Sequence, residues 1–113
     1  MSFAPETEKL VNELIQAEYL NAVVNYGEKF NSLHEGYAVL LEEVEEVDFA
    51  LRNVKIDIDL IWTLIKNDCL SDRKLNRAIS SAKETISELA QVVAVLMKIK
   101  NTLEGDNKCK DVQ

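Results

Sequence analysis

Apolar residues recur three and four positions apart along most of this chain, the spacing that lines one side of an α-helix. Leu10, Val11, Leu14, Ile15, Ala17 and Ala22 mark the first such run. Pro5 suits an opening turn, Glu6 and Glu8 sit near its positive end, and Gly27 supplies a stop, so the pattern predicts a helix over Pro5–Tyr26. Ser32-Leu33-His34-Glu35 reads as a capping box, with the serine capping and Glu35 reaching back to the cap amide. The helix it opens carries the stripe Tyr37, Leu40, Leu41, Val44, Val47, Leu51 and Val54. Lys55–Asp59 alternates briefly like a strand, but it is short and has no partner strands. It reads as a bend or a continuing helix leading into Leu60, Ile61, Trp62, Leu64 and Ile65. After a polar break at Asn67–Asp72, Ser71 or Asp72 caps a last helix whose stripe is Leu75, Ile79, Ala82, Ile86, Leu89, Val93, Leu96, Met97 and Lys100. That helix should fade near Leu103, before Gly105. The expected fold is all-α, with three long helices and one short one in a single domain over 1–104, followed by a polar tail over 105–113.

Composition narrows the function more than the fold. The 113 residues fit one domain with a modest core. A net charge of −7 argues against nucleic acid, because phosphate backbones require clustered Lys and Arg. No run approaches the ~20 apolar residues of a membrane span, and Met1-Ser2-Phe3-Ala4-Pro5 lacks the basic and apolar parts of a secretory signal. Nothing in the spacing of Cys69 and Cys109 asks for a disulfide. Cys69 reads as a half-buried apolar residue and Cys109 as a free thiol in the tail, so a reducing cytoplasm is the default. Long amphipathic helices in so short a chain can hardly bury their apolar sides alone, so a homodimer or homotetramer is expected.

Two acidic turns carry the candidate chemistry: Glu42-Glu43-Val44-Glu45-Glu46 and Glu88-Leu89-Ala90-Gln91. Helical spacing points Glu43 with Glu46, and Glu88 with Gln91. Glu42 and Glu46 lie roughly opposite the apolar stripe, whereas Glu43 sits at its edge near Val47 and Ala50. Packing the two helices together would gather three carboxylates and one amide oxygen, the hard ligands that suit Mg²⁺. The competing reading is a solvated acidic helix face, which is the commoner meaning of such a run.

The stretch Glu42-Glu43-Val44-Glu45-Glu46-Val47, followed downstream by Glu88-Leu89-Ala90-Gln91-Val92, resembles the EExxE…ExxD signature of MazG-like, all-α nucleoside triphosphate pyrophosphohydrolases. The approach Asn31–Leu40 looks like that of small single-domain members from bacteria and phages. The resemblance implies a four-helix MazG-like bundle, completed by oligomerisation. It also implies Mg²⁺-dependent cleavage, with Mn²⁺ as the alternative ion, of a nucleoside triphosphate to monophosphate and pyrophosphate. Carried over by position, Glu43, Glu46 and Glu88 would be metal ligands and Glu42 an added ligand or a water-positioning carboxylate. Gln91 stands where the family has Asp: its amide oxygen can ligate but brings no negative charge and cannot act as a base. Lys98, two turns past Gln91 on nearly the same side, is a candidate phosphate contact. The alternative function is a catalytically inactive helical protein that binds nucleotide or metal, or an oligomeric adaptor.

Overall fold

The computed structural model describes residues 2–106 and is all-α, with α1 at Pro5–Tyr26, α2 at Leu33–Lys66 and α3 at Asp72–Asp106. No strand occurs among the described residues. The expected polar tail over 105–113 falls mostly outside them, as does Cys109, and α3 continues through Gly105 rather than fading at Leu103. The helices divide into two compact units. The first joins the residues up to Glu42 with those from Ala90 onward, and the second is Glu43–Leu89.

In the first unit, Gly27 ends α1 at a φ of 87°, where its N–H donates to the Val23 carbonyl at 2.8 Å. A side chain there would be strained, which is why glycine serves as the stop. At the start of α2, the Ser32 hydroxyl accepts from the Glu35 N–H at 3.1 Å, as the capping box predicts. The Glu35 carboxylate instead reaches one residue further back, accepting from the backbone N–H and side-chain amide of Asn31, each at 3.1 Å. Gly36 is buried, and a Cβ there would lie 2.9 Å from the Ile99 side chain and 3.0 Å from the Phe30 ring. Phe30 in turn donates its N–H to the buried Thr102 hydroxyl at 2.9 Å.

The second unit is a helical hairpin made by the later part of α2 and the earlier part of α3. Its turn is a Schellman motif: Cys69 N–H donates to the Leu64 carbonyl at 2.8 Å and Asp68 N–H to the Ile65 carbonyl at 3.1 Å. Asp68 holds the left-handed position at a φ of 55°. Ser71, rather than Asp72, caps α3, its hydroxyl accepting from the Lys74 N–H at 3.4 Å. Cys69 is exposed in this turn, not half-buried as the sequence suggested, because the motif places it beyond the end of the helix.

The expected short fourth helix is absent among the described residues: α2 runs unbroken through Lys55–Asp59 to Lys66. No Pro or Gly interrupts it after Gly36, and the strand-like alternation resolves in the opposite sense. Ile56 and Ile58 are each 56% exposed, while Asp57 between them is 6% exposed. Asp57 accepts a 2.6 Å hydrogen bond from the Ser81 hydroxyl on α3 and faces the Arg77 guanidinium at 3.6 Å. A buried carboxylate survives only with such partners.

Candidate metal centre

The side of α2 turned toward α3 in the hairpin carries Glu43, Val47, Ala50, Val54, Asp57 and Ile61, all buried or half-buried. The facing side of α3 is mostly polar: Lys74, Ala78, Ser81, Thr85 and Glu88 are half-buried along it. One end of this seam brings carboxylates together. Glu43, half-buried, and Glu46, exposed and one turn later, meet Glu88 from α3. One oxygen of each lies within 4.8 Å of the others.

Such crowding has an electrostatic consequence. The Glu88 carboxyl is held above its ordinary value, first because partial burial disfavours the charged form. A hydrogen bond it makes with Glu46 adds to this, as does repulsion from Glu46, Glu84 and Glu43. The repulsion that raises it is one that a divalent cation among these oxygens would offset. Beside the cluster runs a groove of about 290 Å³ lined by Glu45, Glu46, Phe49, Ala50, Asn53, Glu84 and Glu88.

Of the sequence candidates, Glu43, Glu46 and Glu88 are the ones that converge. Glu42 is exposed and outside the converging group. Gln91 is half-buried in the first unit, where its side-chain amide donates to the Glu18 carboxylate. Lys98 belongs to that unit as well. Its ammonium donates to the Tyr26 carbonyl at 3.2 Å, at the end of α1, and lies 4.3 Å from the centre of the Phe30 ring. His34 is exposed.

Sequence reasoning missed Phe49 and Asn53 as groove residues, although their spacing of three and seven from Glu46 puts them on one helix side with it. It also missed Asp57, which the apparent alternation disguised. No family model, curated protein or solved structure matches this chain. No helix among the described residues is long and apolar enough to cross a membrane.

Proposed function

We propose that the protein is a Mg²⁺-dependent nucleotide pyrophosphohydrolase of the MazG-like kind, cleaving a nucleoside triphosphate to its monophosphate and pyrophosphate. The observation that carries this reading is the convergence of Glu43, Glu46 and Glu88 within 4.8 Å from two helices. Three carboxylate oxygens suit a hard cation that completes its shell with water and phosphate oxygens. When bound, the ion supplies positive charge to the triphosphate, where charge neutralisation and positioning do most of the catalytic work.

This chain's own residues have separate parts. Glu43 and Glu88, both half-buried, would hold the ion from the two helices, and exposed Glu46 would complete the set. The groove beside the cluster offers Phe49 for stacking on a base and the Asn53 amide for hydrogen bonding to it. The four-helix bundle of that family would be reached here by association of two or more chains, since the described residues of each contribute three helices.

Pyrophosphate release from a panel of nucleoside and deoxynucleoside triphosphates with Mg²⁺, abolished by Glu43→Gln or Glu46→Gln, is the expected result. No turnover across the common nucleotides would refute the enzymatic reading. A second reading, an inactive nucleotide or metal binder, draws on Gln91 and Lys98. Gln91 lacks the family's negative charge and spends its amide on Glu18, and Lys98 spends its ammonium on Tyr26 and Phe30. Thermal stabilisation by Mg²⁺ and nucleotide without turnover distinguishes it.

A further inference from the structure

The groove beside the acidic cluster does not end with it. A second stretch of about 240 Å³, lined by Ala50, Asn53, Ser80, Ser81 and Glu84, shares Ala50, Asn53 and Glu84 with the first, so the two are continuous along the hairpin. Phe49 lines the groove with 62% of its surface exposed, although a ring of that size gains most from burial. Asn53 and Glu84, one from each helix, are both exposed and line both stretches. Glu84 is near enough to the cluster to repel Glu88. Asn53 lies seven residues beyond Glu46 on α2, about 10 Å of helix. A sugar puts a separation of that order between the phosphates of a nucleotide and its base.

The groups along the groove differ in what they can read. The Phe49 ring offers a flat surface to any base, since every base has a π-face. The Asn53 amide both donates and accepts, so it too accommodates every base. Glu84 discriminates. An ionised carboxylate only accepts hydrogen bonds, through two oxygens. No Lys or Arg lines either stretch, so none of the lining groups presents a cation to a base carbonyl. Guanine alone among the common bases carries a ring N–H beside an exocyclic amino group, two adjacent donors that match two carboxylate oxygens. Adenine and cytosine offer an amino group next to a ring acceptor. Uracil and thymine offer a single N–H between two carbonyls, whose oxygens would face the carboxylate with like partial charge.

We propose that this groove selects the base of its nucleotide, taking guanine ahead of adenine and cytosine and disfavouring uracil and thymine, with Phe49 as the stacking surface and Glu84 as the selecting acceptor. The proposal rests on the nucleotide reading of the acidic cluster and adds the substrate class to it. A well-formed two-point contact to a base edge discriminates by roughly tenfold to a hundredfold.

Calorimetric binding of non-hydrolysable guanosine, adenosine, cytidine, uridine and thymidine triphosphate analogues to the full chain with Mg²⁺ tests the selection without recourse to turnover. The guanine analogue should bind roughly tenfold or more tightly than the uracil and thymine ones. Glu84 is exposed, so Glu84→Gln keeps the fold. It should erase most of that difference, because an amide donates to a carbonyl as readily as it accepts from an N–H. Phe49→Leu should instead weaken all five by a similar factor, about tenfold. Equal wild-type affinities for the five bases, or a preference for uracil or thymine, overturn the proposal and leave the nucleotide reading standing. So does a guanine preference that Glu84→Gln leaves unchanged. Absence of binding by every analogue overturns both together.

Discussion

Replacing Glu88 by Gln should make the metal-free protein more stable at neutral pH, the reverse of what deleting a half-buried polar contact usually does. The three carboxylates lie within 4.8 Å of one another. Coulomb's law at that separation gives about 1 kcal/mol per ionised pair in bulk water and about 3.5 kcal/mol at an effective dielectric near 20. Glu46 is exposed, so the watery end of that range governs. The substituted amide would remove two of the three pairs while keeping a hydrogen-bond donor toward Glu46, for a gain of about 1–2 kcal/mol at low ionic strength.

The pH dependence has a definite sign. A carboxyl held above its ordinary value of 4.5 contributes its stability fully below that value, and the contribution is lost as pH rises through the folded value. Wild type should therefore weaken as pH climbs from about 4.5 through the raised value of Glu88, while Glu88→Gln stays level over the same window. Urea titrations in chelator at acidic and at neutral pH, on either side of that window, measure both. A variant less stable than wild type at neutral pH, or a difference that does not shrink in acid, refutes the crowding. Adding Mg²⁺ or Mn²⁺ then provides an internal control. On the proposed metal-binding reading, wild type should gain stability by mass action and the variant should gain less, because it has lost one ligand charge.

Three further outcomes follow from the packing. Asp68→Gly should raise stability by about 0.5–1 kcal/mol in thermal melts, because Asp68 occupies a left-handed position that glycine adopts without penalty. Ser81→Ala should cost about 1–3 kcal/mol by stripping a hydrogen bond from the buried Asp57 carboxylate. The double change with Asp57→Leu should cost less than Ser81→Ala alone in the same melts, since it leaves no buried charge behind. Gly36→Ala should cost about 1–3 kcal/mol, because its Cβ would press on Ile99 and Phe30; an unchanged urea midpoint would contradict the close approach.

Legibility in the sequence tracks how local each determinant is. The limits of α1 are readable because Pro5 and Gly27 act on their own backbone. The capping serine at 32 is readable for the same reason, while the choice of Ser71 over Asp72 is made only in the structure. The continuity of α2 through Lys55–Asp59 stays open in the sequence, because what decides it is remote: Asp57 is buried only because Ser81 and Arg77 reach it from α3. The site divides along the same line. Glu43 at the edge of the apolar stripe follows from helical geometry, and its meeting with Glu88 follows from placing the two helices side by side. The partners of Gln91 and Lys98 do not, since Glu18 and Tyr26 lie more than seventy residues away in the chain.

The polar seam and the exposed apolar side are two views of one choice made by α3. Its apolar positions share a heptad register, and its polar positions Ser81, Thr85 and Glu88 share another about a quarter turn away. Only one of the two can face α2 within a chain. Turning the apolar register inward would give a better-packed hairpin, but it would swing Glu88 away from Glu43 and Glu46 and leave Asp57 without Ser81. With the polar register inward, the carboxylates converge and the apolar register stays exposed. The acidic site is thus held at the cost of exposed apolar surface. Replacing Ser81 by Leu, which favours the apolar register, should therefore weaken Mg²⁺ binding measured by calorimetry along with the Asp57 contact, whereas unchanged cation affinity would separate the two.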